Sequence, residues 1–490
     1  MKYDVIIIGS GIGGLECGYI LSKKGYKVCI LEQHAQIGGC LQAFRRGKSV
    51  FDTGFHYVGG LDEGQSLYRL FKYFDLLDLP WKKLDEDAFA EVIMDDRPFF
   101  LASGHERFIN TLAKDFPRQR RQLETYTGFL KQIGDNIFKS FIADFANSAL
   151  FESSAYSFLQ ETIDDPLLRN ILSGGSLTME LNSRKLPLYV FAQINDSFIR
   201  STWRLKGSGS MIADRLAGHI RAAGGEIITN AKVTRLIETD SRISAVEYNG
   251  EEQLAGTYVI SNIHPAQTLA LIPESRHIRK SYRRRISAIS NTFGIFTAHL
   301  QLKESALPYL NRNVFIYKDN NIWDHKCSKE ISSVLISYKA PPDGIYTNSI
   351  DLLAPMHWEE VAQWENTAVG KRGADYETFK RQKAESCIRL ASEKIPGLKN
   401  CIEKIYTSTP LTYRDYTGAQ NGSAYGIQKD CNDTLGTIIV PQTQIRNLFL
   451  SGQNLNLHGI LGVSMTSFFT CAKIVGMNNL LKDFNDNIIR

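Results

Sequence analysis

Short apolar runs bounded by glycine dominate the first forty positions of the chain. Val5 to Ile8 is a β-branched run that leads directly into glycines, which is typical of a buried parallel strand. Residues 15–24 follow with helical spacing, Gly25 ends the predicted helix, and Lys27 to Leu31 forms a second apolar run. The order of strand, glycine turn, helix and strand predicts the start of a doubly wound nucleotide-binding sheet.

Two long segments further along the chain carry different patterns. Residues 76–195 are predicted to be largely helical, with an apolar stripe at i, i+4 spacing. The stripe consists of Phe129, Leu130, Ile133, Ile137, Phe141, Ile142 and Phe145. Residues 271–439 contain strand-like runs over Phe293–Leu302, Val334–Tyr338 and Ser349–Leu353. Core packing is the favoured interpretation of the stripe. The alternative is an apolar entrance to the substrate pocket or a surface that contacts a membrane.

The glycines between the first strand and the first helix fit the pattern G-x-G-x-x-G, with Gly9, Gly11 and Gly14 at the three positions. Gly9 allows a tight turn, Gly11 lets the backbone approach a pyrophosphate, and Gly14 lets the helix pack closely on the strand. Glu32 stands at the end of the second strand, where a carboxylate accepts hydrogen bonds from an adenosine ribose. Together these features predict a bound dinucleotide.

The segments that follow favour FAD over NAD. A glycine pair, Gly38-Gly39, comes soon after Glu32, and Phe51 to Tyr57 comes next. This order resembles the extended flavin-binding signature of the phytoene desaturase and amine oxidase superfamily, in which the second glycine pair wraps the diphosphate and ribityl region. Three more segments occur in the order used by that superfamily, namely Lys206–Val233, Tyr258–Asn262 and Asn447–Val463. Since the sequence has no second G-x-G-x-x-G preceded by a strand, one FAD and no separate NAD(P)H domain are expected.

The resemblance also implies which positions hold the cofactor. In that superfamily the backbone at the position of Val233 usually meets the adenine. A helix predicted from about Gly462 to Leu480 would point its N-terminus at the pyrimidine end of the isoalloxazine and stabilise an anionic reduced flavin by about 0.3–2 kcal/mol. The residues predicted to contact FAD are Gly9, Gly11, Ile12, Gly13, Gly14, Glu32, Gln33, Gly38, Gly39, Cys40, Val233, Gly452, Gln453, Leu461, Gly462 and Val463.

The motifs resemble one branch in particular, the retinol saturases and carotenoid isomerases. The segments similar to that branch are Phe51–Gly59, Thr407–Thr412, Gly422–Gly426 and Gly452–Gly459. Two positions depart from the phytoene desaturase pattern, since Cys40 stands where arginine is common and Gln453 where aspartate is common. Both changes remove a charge near the flavin. The resemblance implies an FAD-dependent oxidoreductase that acts on C=C bonds of an apolar conjugated polyene of the retinoid or carotenoid type, above all by saturation.

The fold class predicted from these features is α/β, with a discontinuous Rossmann-type FAD-binding domain and an inserted mixed α+β substrate domain. The FAD-binding domain is predicted over residues 1–75, 196–270 and 440–490, and the substrate-binding domain over 76–195 and 271–439. With 490 residues, the chain is longer than one core usually holds.

Several reactions fit a flavin beside an apolar pocket. Saturation, desaturation and cis–trans isomerisation share such a scaffold, a flavin amine oxidase would act on a C–N bond, and a binding protein would carry flavin or lipid without turnover. The polar residues predicted near the reacting atoms are His56, Tyr57, Tyr425 and His458. A histidine could serve as the acid, although structural hydrogen bonds are favoured for His56 and His458, and a small buried residue is the favoured interpretation of Cys40.

The composition of the chain indicates which classes of binding partner to expect. The 57 basic and 52 acidic side chains give a net charge of +5, too weak to indicate a nucleic acid. The eight cysteines form no C-x-x-C pair, so no metal site is predicted and a reducing compartment is favoured. No signal peptide and no spanning run of about 18 apolar residues is evident, so a cytoplasmic location is expected, with peripheral membrane attachment left open. The expected partners are an apolar small-molecule substrate and an unidentified electron donor or acceptor.

The densest basic run allows two interpretations. It consists of Arg276, Arg279, Lys280, Arg283, Arg284 and Arg285. A solvated helix face is favoured, and attraction to anionic lipid is the alternative.

Overall fold

The structure, a computed structural model, describes residues 2–137, 149–175, 177–328, 330–341 and 344–489. Two seven-stranded sheets carry most of the architecture. The strands are β1 Lys2–Ile8, β2 Val28–Leu31, β3 Ala43–Arg46, β4 Ser49–Asp52, β5 Val58–Gly59, β6 Trp81–Lys83, β7 Ala90–Met94, β8 Arg97–Leu101, β9 Thr202–Leu205, β10 Glu226–Ile228, β11 Val233–Thr239, β12 Arg242–Tyr248, β13 Glu252–Ser261, β14 Gly294–Leu302, β15 Leu307–Pro308, β16 Asn313–Tyr317, β17 Ser333–Tyr338, β18 Tyr346–Thr347, β19 Ser349–Met356, β20 Ile402–Ser408 and β21 Leu448–Leu450.

The α-helices alternate with these strands and cover both sheets. They are α1 Ile12–Lys23, α2 Ser66–Tyr73, α3 His105–Asp115, α4 Arg120–Asp135, α5 Ala149–Glu152, α6 Ala155–Thr162, α7 Pro166–Gly174, α8 Leu188–Arg200, α9 Ser210–Ala222, α10 Pro265–Ala270, α11 Lys280–Ala288, α12 Ala374–Lys394, α13 Leu398–Cys401, α14 Pro410–Thr417, α15 Thr434–Thr437, α16 Gly459–Val475 and α17 Met477–Ile489.

The first sheet has the strand order β10-β2-β1-β13-β12-β11, with β21 beside β13. Strand β1 pairs in parallel with β2 and β13, and β21 pairs in parallel with β13. Three separated parts of the chain therefore build one sheet, namely residues 2–31, 226–261 and 448–450. Since the carboxyl ends of parallel strands meet at one edge, the segments that follow β1, β2, β13 and β21 converge there, where such sheets bind ligands.

Helix α1 packs between the sheet and two other helices. A Cβ at Gly18 would lie 2.9 Å from side-chain atoms of Ile30 and of Ile220 in α9, so a glycine is needed for this approach. On another side, the Ser467 hydroxyl of α16 donates to the Gly13 carbonyl at 3.2 Å. The first turn of α1 is therefore held between β1 and the start of α16.

The second sheet has the order β20-β14-β19-β17-β16-β7-β8 and separates two apolar layers. Alternation along its strands explains this arrangement, because successive side chains point to opposite faces. Phe296, Ile336 and Leu352 pack in one buried cluster with residues of α12. Their sequence neighbours Ile295, Leu335 and Leu353 point to the other face, where they line a cavity.

The three strands predicted in residues 271–439 are present as β14, β17 and β19, with only their ends shifted. The prediction that residues 76–195 are largely helical is wrong for one part, because β7 and β8 form a hairpin in the second sheet. Asp95 and Asp96 make its two-residue turn with φ of 49° and 59°, a conformation that aspartate tolerates better than most residues.

The predicted final helix differs from the observed one at both ends. The helix begins at Gly459 rather than near Gly462, and it ends at Val475. Gly476 has φ of 86°, which interrupts the helical path, and a separate helix runs over Met477–Ile489. The N-terminus of the observed helix carries a partial positive charge, and it nevertheless lies in the region where the sequence predicted it.

The apolar stripe packs internally where it is described. Leu130, Ile133 and Ile137 are buried, and the Phe129 ring lies 4.6 Å from that of Phe158. Phe141, Ile142 and Phe145 lie outside the described residues. Within the described part of the chain, no helix has the length and apolar character needed to cross a bilayer.

The basic run is partly structural. Arg283 donates to the backbone carbonyls of Leu269 and Ile272, and Arg285 to those of Leu435 and Gly436. Arg276, Arg279, Lys280 and Arg284 are exposed, as expected for a solvated face.

Candidate functional site

A single cavity of about 760 Å³ joins the carboxyl edge of the first sheet to the inner face of the second. This volume is typical of ligand and cofactor sites. Its cofactor half is lined by the predicted dinucleotide segments around Gly9, Glu32, Gly38, Val233 and Gly452. Its substrate half is lined by Phe55, His56, Tyr57, Val58, Leu177, Thr178, Gln193, Ile194, Ser197, Phe198, Ile295, Leu335, Leu353, Tyr425, Leu457 and His458.

The structure brings most of the predicted site residues together. Of the sixteen positions predicted to contact FAD, all but Gly14 and Gly462 line the cavity. These two glycines instead allow close backbone packing. A Cβ at Gly14 would lie 2.1 Å from the Gly9 carbonyl oxygen, and one at Gly462 would lie 2.3 Å from the Leu457 carbonyl oxygen. The four predicted polar residues His56, Tyr57, Tyr425 and His458 also line the cavity, in its substrate half.

Two glycine segments meet at the turn after β1. Gly9 has φ of 89°, and its N–H donates to the Leu31 carbonyl at 2.9 Å. Gly11 and Gly38 form an isolated parallel bridge, so the second glycine pair lies beside the first turn of α1. No side chain caps this helix N-terminus. Its backbone N–H groups and partial positive charge are therefore available for an anionic diphosphate.

Glu32 holds the end of β2 in place and keeps capacity for a ligand. Its Oε2 accepts from the Ser10 N–H at 3.0 Å and from the Ser10 hydroxyl at 2.5 Å, while Oε1 accepts from the His34 N–H at 2.9 Å. A carboxylate has about four acceptor positions in all. At least one therefore remains for a ribose hydroxyl, the role predicted for this residue.

Buried polar atoms without hydrogen-bond partners test whether the cofactor half fits a bound dinucleotide. His34 Nε2, Asn262 Oδ1 and Gln420 Oε1 are buried, have no hydrogen-bond partner and belong to residues that line this half. Buried polar groups are nearly always satisfied in folded proteins, so each of these atoms points to a missing partner. The polar groups of a bound dinucleotide are suitable partners.

The start of α16 forms the junction between the two halves. Gly459, Ile460 and Leu461 line the cavity, and no side chain caps this helix. Nearby, the buried Lys429 ammonium donates to the backbone carbonyls of Thr437, Asn454 and Leu455 at 2.8–2.9 Å.

Lys429 was missed by sequence reasoning. Burial lowers the pKa of Lys429 to about 7. It fixes the segment after Gly452, which lines the cavity. A lone lysine between unrelated segments carries no sequence signal for this role, because its partners are backbone carbonyls.

None of the residues named above for the substrate half is an aspartate, glutamate, lysine or arginine, and the charged residues that line the rest of the cavity are Glu32, Lys232, Arg414 and Asp415. The walls of the substrate half are mainly aliphatic and aromatic. Three polar atoms there are buried without partners, namely His56 Nε2, the Tyr57 hydroxyl and Thr178 Oγ1. Burial lowers the pKa of His56, so the imidazole is neutral near pH 7.

Tyr425 and His458 are engaged in structural contacts. The Tyr425 hydroxyl donates to the Leu177 carbonyl at 2.5 Å, and His458 Nε2 donates to the Thr178 carbonyl at 2.8 Å. Their rings lie 4.9 Å apart. Burial lowers the pKa of His458 to about 4, so its imidazole is neutral. These contacts favour the structural interpretation for His458.

The two departures from the desaturase pattern lie in the cavity wall. Cys40 and Gln453 both line it, and neither brings a charge. Burial raises the pKa of the Cys40 thiol, so the thiol is protonated near pH 7. Cys40 is half-buried, and a small protonated side chain in the wall is therefore a better description of it than a reactive thiolate.

Comparison with known proteins agrees with this geometry. Residues 7–74 match the family model of the NAD(P)-binding Rossmann-like domain. The chain is 25% identical to an all-trans-retinol 13,14-reductase from Danio rerio, over 97% of this chain and 86% of that protein. It is 23% identical to the protein of the same name from Homo sapiens, over 99% and 87%. A chloroplastic prolycopene isomerase from Daucus carota is 22% identical, over 87% and 72%.

Solved structures share the fold. An oxidoreductase from Methanosarcina mazei superposes with a TM-score of 0.64 at 16% identity, covering 95% of this chain and 99% of that one. A putrescine oxidase bound to putrescine gives a TM-score of 0.64 at 16% identity, covering 97% and 99%. The predicted α/β Rossmann-type fold and the predicted resemblance to retinol saturases and carotenoid isomerases are confirmed. The comparisons indicate a dinucleotide or flavin cofactor.

Proposed function

We propose that this chain, a homologue of the all-trans-retinol 13,14-reductases, binds one FAD and saturates a C=C bond of an apolar conjugated polyene. The observation that carries the proposal is the single cavity, which joins the glycine turn after β1 to a chamber lined mainly by aliphatic and aromatic side chains. Bound FAD supplies hydride-transfer chemistry, which no side chain of the protein provides.

Different residues of the cofactor half would bind different parts of FAD. The turn from Gly9 to Gly13 and the pair Gly38-Gly39 would hold the diphosphate, and Glu32 would hold the ribose. Val233 lines the cavity and would meet the adenosine, and the N-terminus of α16 would face the flavin ring. Asn262 Oδ1 and Gln420 Oε1 would gain the partners that they lack in the protein alone.

The substrate half would orient the polyene and exclude water. Ile295, Leu335 and Leu353 present an aliphatic wall, and Phe198 and Tyr425 add aromatic surface. Burial of apolar surface stabilises such a complex by about 25 cal/mol per Å² before the entropic cost of ordering the ligand is counted. Retinoid and carotenoid polyenes are long, flat and largely apolar, which matches these walls.

An amine oxidase activity is disfavoured by the same walls. The carboxylates that line the cavity already have partners, since Glu32 accepts from Ser10 and His34 and Asp415 pairs with Arg372 and Arg414. A protonated amine would therefore have to leave water without a free carboxylate to receive it. The likeness to putrescine oxidase is a likeness of fold at 16% identity. Isomerisation is the second candidate function, because chloroplastic prolycopene isomerases are also relatives over 87% of the chain.

The decisive experiment is anaerobic. The bound flavin is reduced, a panel of polyenes beginning with all-trans-retinol is added, and the absorbance spectrum is recorded. Saturation predicts a blue shift of the polyene band together with reoxidation of the flavin. An unchanged band with an altered isomer ratio would establish isomerase activity instead. If no polyene responds and an amine bleaches the oxidised enzyme, the proposed function is wrong.

A further inference from the structure

Tyr57 places an unpaired phenol at the substrate half of the cavity. Its hydroxyl is buried, has no hydrogen-bond partner and belongs to a residue of the cavity wall. The ring is fixed by packing against Phe198, with centroids 5.0 Å apart. The phenol therefore has a defined position and a proton that the protein does not use.

A buried guanidinium lies behind this wall. Arg204 is 3% exposed, and no acidic residue in the described part of the chain forms an ion pair with it. It donates to Asn313 Oδ1 at 2.7 Å and to the Tyr309 hydroxyl at 3.4 Å, while its Nε has no partner. A buried cation without a counter-ion is costly and is typical of a functional site.

The strand register brings these two groups together. Strand β5 pairs with β9 so that Val58 lies opposite Trp203 and Gly59 opposite Thr202. Tyr57 immediately precedes β5, and extending this antiparallel register by one residue would set it opposite Arg204. Directly opposed residues project from the same face of a sheet. Burial raises the pKa of Tyr57, and the nearby charge of Arg204 lowers it by a smaller amount.

We infer that Tyr57 is the catalytic proton donor to the polyene and that Arg204 is the positioning residue that stabilises the phenolate left behind. This inference rests on the proposed function. The reduced flavin, when bound, would supply a hydride with two electrons for one new C–H bond and would itself be oxidised. The Tyr57 O–H bond breaks, its proton forms the second C–H bond, and the C=C bond becomes a C–C single bond. Water returns a proton to the phenolate before the next cycle.

The other polar groups of the substrate half are poorer donors. The Tyr425 hydroxyl and His458 Nε2 already donate to backbone carbonyls. His56 is a neutral imidazole, because burial lowers its pKa, and a neutral imidazole is a very weak acid. The Thr178 hydroxyl also lies in the wall without a partner, but an aliphatic alcohol is a far weaker acid than a phenol.

Other titratable groups around this pair belong to several elements. The groups that influence Tyr57 and Arg204 are Lys82 on β6, Tyr309, Tyr317 on β16, Tyr338 on β17 and Tyr425. Lys82 lies opposite Arg204 on the third strand of the same small sheet. None of these residues lines the cavity except Tyr425.

The kinetic test measures polyene-dependent reoxidation of the reduced flavin in single turnovers. Tyr57→Phe is expected to slow this step by about 10²–10⁴-fold, the usual contribution of general acid catalysis. Arg204→Gln is expected to slow it by about tenfold for each unit by which the phenol pKa rises, and Arg204→Lys to recover part of the rate. Tyr126→Phe is the matched control, because its hydroxyl is also buried without a hydrogen-bond partner but the residue does not line the cavity.

A second readout does not depend on turnover. A polyfluorinated tyrosine is incorporated throughout, and its ring fluorines bring phenol ionisation into a measurable pH range. The ¹⁹F resonance of Tyr57 is identified as the one absent in Tyr57→Phe. Its titration midpoint should lie at higher pH in Arg204→Gln than in wild type and be closer to wild type in Arg204→Lys.

The outcomes separate the inference from the proposed function. A wild-type enzyme that reduces no polyene contradicts the function, whereas an active enzyme that is unaffected by Tyr57→Phe contradicts the role of Tyr57 alone. An unchanged ¹⁹F titration in Arg204→Gln contradicts the role of Arg204. A slowed Tyr57→Phe enzyme that still binds flavin, together with a shifted titration, supports both roles.

Discussion

The two halves of the cavity are built by different means. The cofactor half is made largely of backbone, since its turns at Gly9 and Gly38 bring peptide groups and a helix N-terminus to the ligand. The substrate half is made of side chains, and residues such as Tyr57, Phe198 and Leu335 come from segments far apart in the chain. Backbone recognition needs glycines at fixed spacing, whereas a side-chain wall needs only apolar groups of suitable shape. The first can be recognised from the spacing of residues in the sequence, whereas in the second only His56, Tyr57, Tyr425 and His458 were predicted, from the family resemblance.

Among substitutions that test the backbone-built cofactor half, Gly14→Ala is expected to have the largest effect on stability and on flavin binding. A Cβ at Gly14 would lie 2.1 Å from the Gly9 carbonyl oxygen, so the turn and the helix cannot both keep their places. We expect a loss of about 3–5 kcal/mol in the free energy of unfolding and loss of bound flavin. Chemical denaturation measures the free energy of unfolding, and the flavin absorbance measures the amount of bound flavin. Gly218→Ala in α9, where a Cβ meets nothing within 4 Å, is the control, and an equal loss there would contradict the argument.

Leu353→Glu should impair the substrate half of the cavity and leave the cofactor half intact. Leu353 lines the substrate half, and a carboxylate there would face an apolar ligand within an apolar wall. We expect flavin content to be retained and polyene-dependent reoxidation to fall by about 100-fold, which corresponds to about 2.7 kcal/mol. The volume-conserving variant Leu353→Met should stay within a few-fold of wild type. Loss of flavin in Leu353→Glu would show that the halves are not independent.

Sequence reasoning was strongest where the relevant contacts are local. The G-x-G-x-x-G turn, the position of Glu32 and the strands β14, β17 and β19 follow from residues adjacent in the chain. The β7–β8 hairpin was missed, because its Asp95-Asp96 turn resembles an ordinary polar loop.

The missed site residues share a different cause. Lys429 and Arg204 acquire their roles from partners that only the fold supplies, such as Asn454 and Asn313. Their segments have no recognisable spacing, and the neighbouring residues give no sign of burial or of a cavity. Long-range packing alone determines what these two cations do.

A pH titration of the flavin-free protein tests the junction between the halves. Burial lowers the folded-state pKa of His458 to about 4, against an ordinary value of 6.5. The unfolded chain therefore binds more protons between about pH 4 and pH 6.5. The contribution of His458 to the free energy of unfolding should rise with pH through this window and level off above it, by about 1–3 kcal/mol. Since burial also lowers the pKa of His264 and of His325 to about 4, the measurement is the difference between two proteins. His458→Gln keeps a donor for the Thr178 carbonyl but does not titrate, so the wild-type free energy should rise relative to that of the variant across this window. Parallel curves for the two proteins would contradict the assignment.

Cys40→Ser is expected to have the smallest effect, and it tests whether the cavity wall near the flavin is passive. Cys40 follows the glycine pair of the cofactor half, and burial raises the pKa of its thiol. A protonated thiol is neither a nucleophile nor a charge, and a serine hydroxyl has nearly the same shape. Flavin binding and polyene-dependent reoxidation should therefore change by less than about twofold, since the substitution removes no charge and opens little space. A large loss in the reoxidation rate with normal flavin content would instead make Cys40 a redox participant. The wall would then contribute chemistry as well as shape, and the distinction between a backbone-built half and a side-chain-built half would fail at this residue.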